Sequence, residues 1–145
     1  MSNNNHIIET PDHWILPLAG YQVSGFNIGP AFEILLDKDG EFRTIISIAN
    51  AFQFRDGETI CQLDFTNFGE IWKAFYVYNH LVVNSLAFKT GFLQIEFSEG
   101  LAIGLEPSYE FEAWEIYDMA PSPSAFRVVC TRGGSLDIWW KRPTT

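Results

Sequence analysis

Carboxylates and aromatic rings alternate over a short segment in the C-terminal third of the chain, which we call the acidic stretch. It runs from Glu106 to Asp118 and holds five carboxylates and four aromatic side chains. Paired carboxylates can act as acid and base in sugar hydrolysis, but no other feature of this small chain supports that reaction. The acidic stretch is either a solvated strand edge, where charge deters aggregation, or a recognition surface for a basic partner.

A recognition surface of this kind would combine two effects. The carboxylates would attract a basic partner from a distance, and the embedded rings would anchor it on contact. The expected contact residues are Glu106, Tyr109, Glu110, Glu112, Glu115 and Asp118. Alternation predicts a strand over residues 109–117, with either a bulge near Ala113 or a face that changes from open to covered. On that strand Glu110 and Glu112 would share a face with Trp114.

Other residue types that could carry out chemistry lack the spacing that chemistry needs. The three histidines, His6, His13 and His80, form no pattern typical of metal ligands. Cys61 and Cys130 lie among apolar residues, as inert buried cysteines do. The glycines form no phosphate-binding loop, and no serine lies in a nucleophile elbow. We therefore expect no catalytic residue, no metal and no cofactor, and a protein that is not an enzyme.

Composition narrows the class of protein further. The chain has 145 residues, of which 47% are hydrophobic and 16% aromatic, which is typical of one folded domain. Its net charge of −9 argues against nucleic-acid binding, which needs clustered Lys and Arg. There is no apolar run of about 18 residues, as a membrane span requires. The polar N-terminus predicts no signal peptide, so we expect a cytoplasmic protein with reduced thiols.

Period-2 alternation dominates the chain from Leu18 onward and predicts β-strands. Residues 1–17 are expected to form an arm without regular structure, because Pro11 and Pro17 interrupt it. Asp39-Gly40 and Asp56-Gly57 predict hairpin turns. The predicted strands cover residues 21–28, 32–36, 42–48, 51–54, 59–65, 81–88, 92–97, 101–105, 109–117, 126–130 and 136–140.

One segment has helical spacing instead. Apolar residues recur at i, i+3, i+4 and i+7, at Phe68, Ile71, Trp72 and Phe75. The spacing predicts a short helix over residues 67–78, with its aromatic face against a sheet. Asn67 is a suitable N-cap, and Glu70 would complete a capping box.

The strands on the two sides of this helix resemble each other. Val23-x-x-Phe26-x-Ile28 matches Val83-x-x-Leu86-x-Phe88, and Phe32-x-Ile34-x-Leu36 matches Leu93-x-Ile95-x-Phe97. The match predicts an internal duplication with an offset of about sixty residues. We therefore predict a mainly β (α+β) fold: a single domain, 18–140, in which two antiparallel β-meander repeats, 18–66 and 79–140, form a curved sheet or open barrel joined by one short helix.

The C-terminal third also carries short motifs that resemble those of a protein family. The residues that carry the resemblance are Tyr109-Glu110 with Ala113-Trp114, then Val128-Val129-Cys130, then Gly133-Gly134-x-Leu136-x-x-Trp139. The chain resembles an uncharacterised family of small bacterial β-rich proteins with Tyr-Glu-Ala-Trp, Val-Val-Cys and Gly-Gly-x-Leu-x-x-Trp motifs. This chain departs from the pattern by inserting Phe111-Glu112 and by a longer Pro-Ser loop. The resemblance implies a bacterial origin and brings no catalytic residue. The motif itself looks structural, with Trp114 packing against Val129 and Trp139.

The small size and the acidic, aromatic-rich composition also resemble immunity proteins of contact-dependent toxin systems. That resemblance implies a cytoplasmic inhibitor that binds and neutralises a basic toxin. The alternative is a small-ligand-binding β-barrel in which Trp72, Phe75 and Trp114 line a pocket.

Overall fold

The computed structural model describes residues 6–119 and 125–140. Short strands dominate, with the main helical segment between the seventh and the eighth and a short 3-10 turn, Ser98–Gly100, between the ninth and the tenth. The strands are β1 Ile8–Glu9, β2 His13–Ile15, β3 Gln22–Ile28, β4 Phe32–Lys38, β5 Glu41–Ile48, β6 Phe52–Asp56, β7 Thr59–Leu63, β8 Val82–Phe88, β9 Leu93–Phe97, β10 Leu101–Leu105, β11 Trp114–Asp118, β12 Phe126–Cys130 and β13 Leu136–Trp140. The helical segment is α1 Phe68–Ile71 followed by a 3-10 helix, Trp72–Val77.

These strands form two antiparallel sheets. The seven-stranded sheet has the order β1-β2-β8-β9-β10-β6-β7, and the six-stranded sheet has the order β13-β12-β11-β5-β4-β3. Neither sheet closes on itself within the described residues. The predicted mainly β fold with two meanders and one short helix is confirmed.

Each sheet combines strands from both halves of the chain. The meander β3-β4-β5 belongs to the six-stranded sheet and the meander β8-β9-β10 to the seven-stranded sheet. The hairpin that follows each meander then crosses over, so that β6 pairs with β10 and β11 pairs with β5. The two halves are therefore interlocked through exchanged hairpins, which the alternation pattern alone does not predict.

The two meanders share a β-bulge at the same place. Pairing shifts by one residue after Val23 in β3 and after Val82 in β8. Both valines are buried, whereas Val83, to which the sequence comparison matches Val23, is 56% exposed. The predicted match is therefore wrong by one residue in this strand, because a one-residue shift moves every side chain to the opposite face.

The core lies between the two sheets. Alternate residues of each meander are buried, as in β4 and β9. Phe32 of the six-stranded sheet stacks on Phe52 of the seven-stranded sheet, with ring centroids 5.9 Å apart. Burial of each such side chain contributes about 1.5–3 kcal/mol, so the shared core holds the two sheets together.

The N-terminal arm is a correction to the sequence prediction. Residues 8–15 form β1 and β2, and β2 pairs with β8 in the seven-stranded sheet. Pro11 lies in the turn between these two strands and Pro17 follows β2, so neither proline has to donate to a ladder. Leu16 and Leu18 are buried in the core. Residues 1–5 of the predicted arm lie outside the described part of the chain.

The helical segment also differs from its prediction. Asn67 is the N-cap as expected, since its Oδ1 accepts from the Gly69 backbone N at 3.1 Å. The predicted capping box is wrong, because Glu70 pairs with Lys73 instead. The predicted aromatic face is only partly present: the Phe75 ring packs against Phe26 and Phe32 of the six-stranded sheet, with ring centroids 4.8 and 6.2 Å apart, whereas Trp72 is 48% exposed.

The geometry of the 3-10 helix explains this exposure. A 3-10 helix has three residues per turn, so its buried face recurs at i, i+3 and i+6. The buried residues are Ile71, Ala74 and Val77. The α-helical period of the prediction places Trp72 on the buried face, whereas the 3-10 period places Ala74 and Val77 there.

Candidate partner-binding surface

The acidic stretch is a loop followed by a strand, rather than one long strand. β11 begins at Trp114, and residues 106–113 form the connection from β10 to β11, which we call the acidic loop. The predicted strand over residues 109–117 is therefore wrong in its first half, and no bulge is needed near Ala113. The chain leaves the seven-stranded sheet here and enters the six-stranded sheet, so residues 106–113 have no neighbouring strand with which to pair.

The acidic loop brings four of the six predicted contact residues together. Glu106, Tyr109, Glu110 and Glu112 are all exposed, Tyr109 by 88%. Phe111, which the prediction did not include, is 38% exposed beside them. Glu110, Phe111 and Glu112 border a shallow groove whose other side is formed by Thr131 and Arg132.

Hydrogen bonds fix the backbone of the acidic loop. The Ser108 carbonyl O accepts from the Gly133 N at 2.8 Å, and the Ser108 Oγ accepts from the Glu110 N at 3.1 Å. At the end of the loop, the Ala113 O accepts from the Ala49 N at 2.9 Å. The acidic loop is therefore held at its centre and at its end.

A joint between the two sheets lies beneath the acidic loop. The Gly91 carbonyl O, in the turn between β8 and β9, accepts from the Trp114 Nε1 at 2.9 Å and from the Cys130 Sγ at 3.5 Å. A Cβ on Gly134 would lie 2.5 Å from the Thr90 O. The C-terminal motif therefore acts structurally, as the sequence predicts, by joining the six-stranded sheet to a turn of the seven-stranded sheet.

This joint makes Cys130 chemically inert. Burial, with the Glu112 carboxylate nearby, raises the pKa of the Cys130 thiol to about 11. The thiol therefore stays neutral near pH 7, and a neutral thiol is a poor nucleophile.

The predicted packing of Trp114 with Val129 and Trp139 is wrong. Trp114 pairs with Cys130 and faces the core, where it is 1% exposed. Trp139 pairs with Arg127 and lies on the outer face of the six-stranded sheet, 53% exposed. Neighbouring positions along a strand alternate between faces, so Trp114 and Trp139 lie on opposite sides of the sheet.

The last two predicted contact residues lie in β11 and have different surroundings. Glu115 is on the outer face and forms an ion pair with the Arg127 Nε. Asp118 is 5% exposed and accepts from the Thr44 Oγ1 at 2.9 Å. Burial and the nearby Asp118 carboxylate raise the pKa of Tyr21. Asp118 is therefore part of the interior, and we leave it out of the candidate surface.

Sequence reasoning missed a cation–aromatic arrangement on the same outer face. The Arg127 guanidinium carbon lies 5.8 Å from the centroid of the Tyr117 ring and 5.4 Å from that of Trp139. Tyr117 is 45% exposed. Aligning β12 with β13 through the turn at Gly133-Gly134 would have found it, because that alignment pairs Arg127 with Trp139.

Residues 6–119 and 125–140 contain no group of three or more His, Cys, Asp or Glu side chains placed to hold a metal ion. No helix within them has the length and apolarity that a membrane crossing demands.

The fold and this surface define a small two-sheet antiparallel β protein with an anchored acidic loop. The chain belongs to the Family of unknown function (DUF6188), whose model matches residues 14–140. This match confirms the prediction of an uncharacterised family. No curated protein and no solved structure matches the chain.

Proposed function

We propose that the protein is a non-enzymatic binding module, an immunity-type inhibitor that neutralises a basic bacterial toxin in the cytoplasm. The acidic loop is its main contact surface. The observation that supports this proposal is the exposure of three carboxylates and two aromatic rings on one hydrogen-bonded loop.

The electrostatics of the acidic loop suit a basic partner. Glu110 and Glu112 border a groove that also holds one cation, Arg132. Glu106 adds a third carboxylate to the loop, so the local charge is negative. The whole chain adds to this field, with a net charge of −9. Fields of this kind raise the association rate of an oppositely charged protein.

The anchored backbone suits tight binding as well. A loop that is already ordered loses little conformational entropy when a partner docks on it. Tyr109 and Phe111 offer exposed rings between the carboxylates, and aromatic side chains are frequent energetic anchors of protein interfaces. Charge would therefore govern the rate of encounter, and the rings would govern the lifetime of the complex.

The alternative function, a small-ligand-binding barrel, finds less support. Its expected pocket residues lie in different surroundings, since Trp72 and Phe75 are on the surface of the 3-10 helix and Trp114 is buried. The Trp114 indole N–H already donates to the Gly91 O. Core side chains such as Phe32 and Phe52 fill the space between the sheets.

The test measures association rates. The partner is first captured with the tagged chain and identified, and binding of the purified pair is then followed by surface plasmon resonance at two salt concentrations. Replacing Glu106, Glu110 and Glu112 by Gln should lower the association rate about tenfold at low salt, and by less at high salt because of screening.

A matched control removes three charges elsewhere. The control variant combines Asp39→Asn, Asp56→Asn and Glu58→Gln, which alter exposed residues in or beside turns. These turns lie at the opposite end of the sheets from the acidic loop. This control variant should associate at nearly the wild-type rate. Equal rates for all three proteins at low salt would refute the proposal.

A further inference from the structure

The outer face of the six-stranded sheet carries two parallel rows of side chains. Strand register defines both rows across β4, β5, β11, β12 and β13. The apolar row is Leu35, Ile45, Tyr117, Arg127 and Trp139. The acidic row is Glu33, Ser47, Glu115, Val129 and Asp137, in which Val129 is only 3% exposed. Together we call these rows the platform.

The apolar row is exposed at one end, where its side chains contact one another. Arg127 lies between the rings of Tyr117 and Trp139, and Glu115 holds its Nε. The two rings are 45% and 53% exposed. Rings that already contact a neighbouring side chain have less conformational entropy to lose on binding, and Trp and Tyr are enriched among the residues that dominate interface energies.

The acidic row gives the platform a negative charge. Glu33, Glu115 and Asp137 lie on alternate strands, so their spacing is about 10 Å. Glu115 neutralises Arg127. Glu33 accepts from the Asn27 Nδ2 at 3.2 Å, a neutral donor. Asp137 is exposed, so two carboxylate charges on this row are not compensated by Arg127.

We propose that the platform binds a basic amphipathic α-helix of the same partner. Side chains at i and i+7 of an α-helix are about 10.5 Å apart along its axis, which matches the spacing of the acidic row. Lys or Arg at these positions would meet Glu33, Glu115 and Asp137, while an adjacent apolar stripe would cover Tyr117 and Trp139. The proposal rests on the basic partner inferred above.

The platform is continuous with the acidic loop. The loop ends at Ala113, two residues before Glu115 in β11. A partner that meets the loop first can therefore reach the platform without leaving the surface.

The test uses a synthetic helical peptide of about three heptads, with Lys at i and i+7 beside a Leu stripe. The control peptide has the same sequence with Glu in place of each Lys. The full-length 15N-labelled chain is titrated with each peptide and followed by NMR. We expect the Trp139 indole signal and the backbone signals of β11–β13 to shift with the Lys peptide, and neither to shift with the Glu peptide.

Paired variants give the test its control. Tyr117→Ser with Trp139→Ser should weaken binding of the Lys peptide at least tenfold, since exposed aromatic anchors are removed without loss of core. Trp72→Ser with Tyr76→Ser removes two rings of similar exposure, 48% and 54%, from the 3-10 helix. This second pair should leave the dissociation constant unchanged.

The outcomes separate the two proposals. Binding at the platform that survives the substitution of Glu106, Glu110 and Glu112 by Gln supports the platform and does not depend on the acidic loop. Shifts confined to the acidic loop overturn the platform and leave the proposed function standing. Shifts centred on Trp72, or no binding of the Lys peptide at all, also overturn the platform.

Discussion

The six-stranded and seven-stranded sheets follow one plan on the inside and differ on the outside. Pairing register makes Ile34 equivalent to Ile95, and Ile46 equivalent to Ile103. It extends the equivalence to the exchanged hairpins, where Phe54 in β6 corresponds to Ile116 in β11. All of these positions are buried. The inner faces keep apolar residues because each sheet needs them to form the shared core.

The outer faces differ at the same equivalent positions. Glu115 and Tyr117 of β11 correspond to Gln53 and Arg55 of β6, and Ile45 and Ser47 of β5 correspond to Ala102 and Gly104 of β10. At these positions the six-stranded sheet therefore presents a ring and a carboxylate, while the seven-stranded sheet presents an arginine, an amide and two small residues. Side chains on an outer face do not form the core, so this is where two similar sheets can acquire different roles.

The outer face of the seven-stranded sheet is also covered by its own side chains. A Cβ on Gly104 would lie 2.8 Å from the Phe92 Cζ, which shows that the Phe92 ring lies over this glycine. The Gln94 Nε2 donates to the Glu96 Oε1 at 2.8 Å. These contacts engage Phe92, Gln94 and Glu96 within the sheet, whereas Arg55 and Ile60 on the same face stay exposed.

The largest effect should come from breaking the joint that fixes the acidic loop. Gly134→Ala should lower the free energy of unfolding by about 3 kcal/mol or more, because its Cβ would clash with the Thr90 O. Gly133→Ala is the control, since Gly133 also has a positive φ but open space around it. It should cost only about 1 kcal/mol. Urea unfolding measures both, and similar costs would contradict this account of the joint.

A smaller loss is expected when the joint keeps its shape but loses one donor. Trp114→Phe removes part of a buried ring and the hydrogen bond to the Gly91 O, which should cost about 2–3 kcal/mol. Trp139→Phe, on the exposed outer face, should change the free energy of unfolding by less than about 0.5 kcal/mol. Equal effects in urea unfolding would show that the two faces are not energetically distinct.

Cys130 makes the stability of the joint depend on pH. Its pKa is about 11 in the folded protein and near the reference value of 9.0 when unfolded. Between pH 9 and 11 the unfolded chain therefore releases a proton that the folded chain keeps, and the free energy of unfolding should fall by about 1–2 kcal/mol. Below pH 9 the thiol has no effect. Urea unfolding of wild type and Cys130→Ala should converge as pH rises, and a constant difference would contradict the burial of the thiol.

The smallest effect should come from the ion pair on the outer face. The Glu115 and Arg127 side chains are 30% and 47% exposed, and pairs in such surroundings contribute between zero and about 1 kcal/mol. Glu115→Gln should therefore shift the unfolding midpoint only slightly, and less at high salt. A loss well above about 1 kcal/mol in urea would show that Arg127 supports the sheet as well as its surface.

Regular alternation made several strands predictable to the residue. The bounds of β10, β12 and β13 agree with the sequence, because each has apolar residues that lie in the core or pack against it. The turn at Asp39-Gly40 was equally clear, since both residues have positive φ. In these segments the local pattern and the tertiary structure favour the same conformation.

The acidic stretch shows where local patterns are insufficient. Residues 109–113 alternate like a strand, but they cross between sheets and find no strand to pair with. The exchange of hairpins decides this, and it depends on contacts distant in sequence. The platform was missed for the same reason, because Tyr117, Arg127 and Trp139 become neighbours only through the pairing of three strands.

Hydroxyl-radical footprinting of the chain, alone and in complex with its captured partner, tests the contrast between the two outer faces most directly. The account predicts protection of Tyr109 and Phe111 on the acidic loop and of Tyr117 and Trp139 on the platform. Ile60 and Phe92, on the outer face of the seven-stranded sheet, should react equally in both samples. Protection of Ile60 and Phe92, with the other four residues unchanged, would place the partner on the opposite side of the molecule and contradict the account.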